Sequence, residues 1–256
     1  MQVTLKMLLI CCPLVGLAGF LDSIAGGGGL ISLPAYLIAG LPPHLAHGTN
    51  KFGSMIGCTA ATLQYHRSGV IRWDYAPFAV AGAFLGSWCG AHLVLVASDR
   101  FLRIFMMIAL PIIAVFLLTN RNFGASGSGE KQLPRLRLAV RLAAIGLVVG
   151  FYDGFFGPGA GTFYTLGFTL LVGLSLLEAS GTAKVLNLAS NFGAFLTYLL
   201  SGNIVYGLAI PCAACSIIGN LIGSRMAVRI GAPFIRKVMS VVLVLLLAKI
   251  ALDFFA

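Results

Sequence analysis

The chain has 256 residues, of which 59% are hydrophobic and only 9% charged, with a formal net charge of +10 and a mean hydropathy of +0.99. Soluble domains carry roughly 25% charged residues, so this composition cannot cover a water-facing surface and places the chain in a bilayer. The positive balance would suggest nucleic acid in a soluble protein; here it is read through the positive-inside rule, because Lys and Arg gather in short loops.

Charged or Gly/Pro-rich breaks separate about ten apolar segments, at 4–24, 30–41, 45–66, 73–97, 101–119, 138–154, 161–174, 177–200, 204–228 and 234–254. Most reach the ~20 residues needed to cross the hydrocarbon core, which predicts an all-α polytopic membrane protein. The first segment opens like a signal peptide. Its apolar run continues to Leu21 without a small-residue cleavage site, so a retained helix is expected. The second and seventh segments are short, and each follows a glycine-rich break, Gly26-Gly-Gly-Gly29 or Gly157-Pro-Gly-Ala-Gly161. These are signs of broken or re-entrant helices, whose freed backbone groups must be received by protein or by a water-filled cavity.

The two breaks belong to an internal repeat. Phe20-Leu-Asp-Ser-Ile-Ala-Gly-Gly-Gly-Gly29 returns as Phe151-Tyr-Asp-Gly-Phe-Phe-Gly-Pro-Gly-Ala160, an offset of 131. The offset then settles at 133: Gly48-Thr-Asn-Lys51 becomes Gly181-Thr-Ala-Lys184, Gly69 becomes Gly202, Gly86 becomes Gly219 and Gly90 becomes Gly223. The chain thus divides into a first repeat at 1–119, a polar cytoplasmic linker at 120–137 and a second repeat at 138–256. Five elements per repeat make the halves inverted, which suits alternating access between related halves. Counting outward from the basic linker puts the loops carrying Arg67, Arg72, Arg225 and Arg229 in the cytoplasm and both termini outside it.

Lys51 and Lys184 each lie a turn or two into a long apolar segment, behind Gly-Thr. An ammonium at membrane depth is costly unless it is paired or lines a wet cavity. The plainer alternative is snorkelling to headgroups from a helix that begins at the interface. Repeat symmetry favours a cationic cavity that attracts an anion.

Gly27, Gly28, Gly29 and Gly159 offer backbone that a ligand approaches closely, each run leading into a helix N-terminus suited to negative charge. Tight helix crossing is the other use of such glycines. Thr49, Asn50, Thr182, Asn187 and Asn191 complete the candidate substrate site, with Lys184, Asn187 and Asn191 on one helical stripe. Asp22 and Asp153 precede the breaks by four residues. They are either proton sites for coupled transport or structural partners, as counter-ions to the lysines or acceptors for freed N–H groups. Glu178 is expected at the interface. His44 and His47 flank the first lysine motif and are read either as titrating near neutral pH or as solvated.

All six cysteines fall in apolar stretches, so Cys212-Ala-Ala-Cys215 is read as helix packing rather than a redox or metal motif. No metal or other cofactor is expected.

At Gly19-Phe-Leu-Asp-Ser-Ile-Ala-Gly-Gly-Gly-Gly-Leu-Ile-Ser-Leu-Pro34, His44-Leu-Ala-His-Gly-Thr-Asn-Lys51, residues 150–161 and Gly181-Thr-Ala-Lys-Val-Leu-Asn187, the chain resembles the sulfite exporter TauE/SafE family of bacterial membrane transporters, also called the toluene sulfonate uptake permease family. The likeness runs over essentially the whole chain. It implies an inner-membrane secondary carrier for a small sulfur-containing anion such as sulfite or a sulfonate, coupled to an ion gradient, with H+ or Na+ as candidate coupling ions. Members differ in substrate and direction, so neither transfers, and assembly into a homo-oligomer stays open. Pro158, Ala160 and Ala183 stand where the first half has glycines and Asn50, so the halves need not share ligand contacts equally. Two alternatives stand beside the carrier. One is a passive anion channel. The other is an intramembrane aspartyl protease, against which the missing Gly-x-Gly-Asp sequence and the repeat-equivalent placing of the aspartates both argue.

Overall fold

A computed structural model describes residues 3–98, 100–101, 134–238 and 240–241. The described helices are α1 (Leu5–Ala25), α2 (Gly29–Ile38), α3 (Pro43–Arg67), α4 (Ala76–Val96), α5 (Arg135–Phe155), α6 (Ala160–Gly167), α7 (Leu176–Leu200) and α8 (Tyr206–Ile230), with a π-helical turn, Phe168–Val172, continuing α6. The described residues contain no strand. The expected segments at 101–119 and 234–254, and most of the linker, fall outside the described residues.

Four of these helices, α1, α4, α5 and α8, are long and apolar enough to cross a membrane, which makes this a multi-pass membrane protein. At 25 residues each, α3 and α7 match them in length, about 37 Å at 1.5 Å per residue. They are more polar because they carry the lysine motifs, and those polar side chains are buried against protein: Thr49, Lys51, Thr182, Lys184 and Asn187 are all inaccessible. By contrast α2 and α6 are short, as the sequence predicts; the 10 residues of α2 rise only about 15 Å.

Contacts between the halves are reciprocal. Helix α1 packs on α8 and α5 packs on α4; α3 lies against α8 and α7 against α4; α3 and α7 meet each other centrally. Glycines permit these approaches, since a Cβ at Gly86 or Gly90 of α4 would collide with the backbone of Leu147 or Phe151 of α5. The repeat-equivalent Gly219 and Gly223 of α8 meet Gly16 and Phe20 of α1 in the same way. With no hydrophobic force between helices in lipid, close backbone contact at small residues is what holds such pairs together. The long helices also end alike. Gly69 (φ 67°) follows α3 and Gly202 (φ 69°) follows α7. Each turn is closed by an N–H one residue further on, Val70 to the Tyr65 carbonyl and Asn203 to the Tyr198 carbonyl. A left-handed glycine after the cap is a common way to stop a helix.

Candidate functional site

The site forms where the two glycine breaks meet. Helix α1 stops at Gly26, whose φ of 74° is left-handed and whose N–H donates to the Asp22 carbonyl. Helix α5 gives way at Gly157 (φ 93°) and Gly159 (φ 82°) before α6 begins. The breaks touch: a Cβ at Gly26 would collide with Gly161, and one at Gly161 would meet Gly26 and the Asn187 amide. Protein side chains thus receive backbone carbonyls freed at the breaks, Thr162 donating to Ala25 and Tyr152 to Pro158.

Both lysines are buried here and paired crosswise. Lys51 of the first half reaches Asp153 of the second, Nζ to Oδ1 2.9 Å, and also donates to Asn191 at 3.2 Å. Lys184 of the second half reaches Asp22 of the first, Nζ to Oδ2 2.7 Å. The second oxygen of each carboxylate is also held: Gly28 N–H donates to Asp22 Oδ1 at 3.2 Å, and the Ser190 hydroxyl donates to Asp153 Oδ2. The Cys58 thiol donates to Asp22 as well. The snorkelling alternative therefore does not describe these side chains; each ammonium ends on a carboxylate inside the protein.

Between the pairs lies a cavity of ≈ 20 Å³, about the room one water needs. Of the residues expected at a substrate site, Lys51, Asn50, Gly29, Asn187 and Asn191 line it, together with Asp22 and Asp153. Gly28 lines a neighbouring hollow. Lys184 reaches the cavity through Asp22, whereas Gly27 and Gly159 lie outside its lining.

Thr49 and Thr182 also lie outside that lining, in matching roles. The Thr49 hydroxyl accepts from Val205 N–H at 3.1 Å, and the Thr182 hydroxyl accepts from Arg72 N–H at 3.1 Å. Each pins the loop that leads into the other half's last described helix. Glu178 closes a capping box with Ser175 at the start of α7 and reaches Arg72 at 3.4 Å. Arg72 also pairs with Asp74 at 2.8 Å, and this guanidinium holds the Asp74 carboxyl below the usual carboxylate range. His47 is buried beside Tyr198 rather than solvated.

Sequence reasoning missed Ser190 and Cys58. Cys58 lies seven residues after Lys51, as Asn191 does after Lys184, so helical spacing from the lysine was the available signal.

A family model, "Sulfite exporter TauE/SafE", matches residues 11–250. The probable membrane transporter protein YfcA of Escherichia coli (strain K12) is 37% identical over 93% of this chain and 87% of its own length. A probable membrane transporter protein of Haemophilus influenzae is 33% identical over 98% of this chain and 96% of its own. The probable membrane transporter protein ORF9 of a Sinorhizobium species is 36% identical over 93% of this chain and 89% of its own. No solved structure matches the chain. The chain belongs to the sulfite exporter TauE/SafE family, a family of membrane transporters rather than enzymes.

Proposed function

We propose that this protein is a secondary carrier for a small sulfur-containing anion, sulfite or a sulfonate, which competes with Asp153 and Asp22 for the ammonium groups of Lys51 and Lys184. The observation that carries this reading is the crosswise pairing of the two lysines around one cavity at the meeting of two broken helices. Two ammonium groups held by exchangeable carboxylates form an anion trap that stays neutral while no substrate is bound, so the resting state carries no uncompensated buried charge. A cavity of ≈ 20 Å³ admits water but not an oxyanion. Substrate therefore binds after the helices at the breaks part, which fits a carrier better than a standing channel. The family name supports sulfite as the first anion to test.

In this reading the reciprocal contacts of α1, α3 and α4 with α8, α7 and α5 reflect an inverted repeat. Rocking of one half on the other exposes the cavity alternately to the two sides. The protein sits in the bacterial inner membrane, with the loops carrying Arg67, Arg72, Arg225 and Arg229 in the cytoplasm and both termini outside.

The test is uptake of labelled sulfite and of a small sulfonate into proteoliposomes under an imposed ion gradient. Uphill accumulation that is lost in Lys51→Met/Asp153→Asn and in Lys184→Met/Asp22→Asn is the expected result. Undiminished accumulation in both pair variants would remove the lysines from the mechanism, and flux that no gradient drives uphill would assign a channel.

A further inference from the structure

Beside the lysine cavity lies a second polar hollow, of ≈ 10 Å³, walled by Asp22, Ser32, Asn50, Ser54, Ser216 and Asn220. Asp22, Asn50 and Ser54 belong to both walls, so the two spaces share one partition. Asn220 is 1% exposed, and its side-chain oxygen accepts from no protein group. Its orientation is fixed, because the amide nitrogen donates to the Ser216 carbonyl at 2.9 Å and faces the Ser216 hydroxyl at 3.3 Å. Turning the amide over would set oxygen against oxygen. Two glycines admit this side chain: a Cβ at Gly19 of α1 would stand 2.7 Å from the amide nitrogen, and one at Gly57 of α3 2.5 Å. A buried acceptor left unpaired costs free energy, yet here three helices are arranged to hold one in place.

The occupant that suits this hollow is acceptor-seeking, water-sized and singly charged. The wall offers hydroxyl and amide oxygens and one carboxylate, already shared with the Lys184 ammonium. That is too little negative charge for Mg2+ or Ca2+, which are bound through carboxylate-rich oxygen sets. Sodium takes oxygen ligands of this kind, and backbone unwound between half-helices is where such ions are held in carriers.

The repeat-equivalent position lacks this set of polar groups. Asn50, Ser216 and Asn220 correspond to Ala183, Ala83 and Ser87 in the repeat register, and the Ser87 hydroxyl is committed to the Ser190 carbonyl. The two carboxylates differ in the same sense, Asp22 being 20% exposed at its side chain against 6% for Asp153.

We infer that Asp22, Ser54, Ser216 and Asn220 form a Na+ site, and that a cation there takes over Asp22 and releases Lys184 to the anion. The release step rests on the carrier reading above; the cation site does not. Purified full-length protein is melted in sodium, potassium and choline gluconate at matched ionic strength and pH, without and with a sulfur anion (sulfite, thiosulfate or a small sulfonate). Sodium alone raises Tm by about 3 °C and saturates, as mass action requires. The rise is lost in Ser216→Ala and Asn220→Ala and kept in Thr59→Ala, on the exposed side of α3. Ser216→Ala is the smaller change and carries the test should Asn220→Ala fail to fold. Equal melting in all three salts overturns the inference, as does stabilisation that follows pH and ignores sodium, or a sodium shift that survives both α8 variants. A shift with the sulfur anions but none with sodium removes the cation site and leaves the anion reading; a sodium shift with none for any sulfur anion does the reverse.

Discussion

Lys51 ends 2.9 Å from Asp153, a carboxylate contributed by the opposite half of the chain and almost inaccessible to solvent. Removing one member leaves the other as an uncompensated buried charge, which costs about 3–5 kcal/mol, whereas removing both charges together avoids that cost. Lys51→Ala is therefore expected to melt far below the parent and Lys51→Met/Asp153→Asn near it, both without uptake. Thermal unfolding in detergent, read beside proteoliposome flux, separates the stability effect from the transport effect. A double variant as unstable as the single one would show that the pair is not the interaction lost.

The two threonines next to the lysines give a sharper division between scaffold and site. Thr49→Val and Thr182→Val each strand a backbone N–H, of Val205 or of Arg72, at about 1–3 kcal/mol. The expected signature is a lowered Tm with an unchanged KM for uptake in the molecules that stay folded. A raised KM at constant Tm would return both hydroxyls to the substrate.

Glycines on the helix contacts and glycines in open turns should respond differently to the same change. A methyl at Gly154 would run into the Ser87 carbonyl of α4, forcing α5 off its partner at about 1–3 kcal/mol or more. Gly40 has a φ of 92° and open space around it, so Gly40→Ala meets only backbone strain, about 1–2 kcal/mol. Crosslinking between cysteines introduced on α4 and α5 should fall in Gly154→Ala and stay unchanged in Gly40→Ala.

The cap of α7 lies at the edge of the site's scaffold. Ser175→Ala removes the hydroxyl that accepts from Glu178 N–H and meets its carboxylate, at about 1 kcal/mol. Uptake at saturating substrate should be unchanged, with a Tm lower by a few degrees; loss of uptake in a folded variant would mean that this helix end takes part in the transport cycle.

The sequence made the lysines, the glycine breaks and the equivalence of the halves readable, because charge at membrane depth and glycine runs inside apolar segments both require special surroundings. It did not reveal that the ion pairs cross between halves. A repeat tells which residues correspond, and correspondence alone leaves open whether Lys51 meets Asp22 or Asp153. Polarity near the lysines was also ambiguous: Asn50 and Asn187 face the cavity, while Thr49 and Thr182 spend their hydroxyls on backbone. Ser190, Cys58 and Asn220 were missed since each looks like an isolated small or amide side chain in an apolar run. Only the packing of helices distant in sequence brings them to a carboxylate or a hollow.

The crossing of the ion pairs bears on how the protein is made. A ribosome delivers Lys51 and Asp22 to the membrane more than a hundred residues before Asp153 and Lys184, so the early half waits without the final partners of its two charges until its counterpart is inserted. Chains truncated at the linker should be cleared by quality control, and two separately translated halves should rescue one another when produced in the same cell.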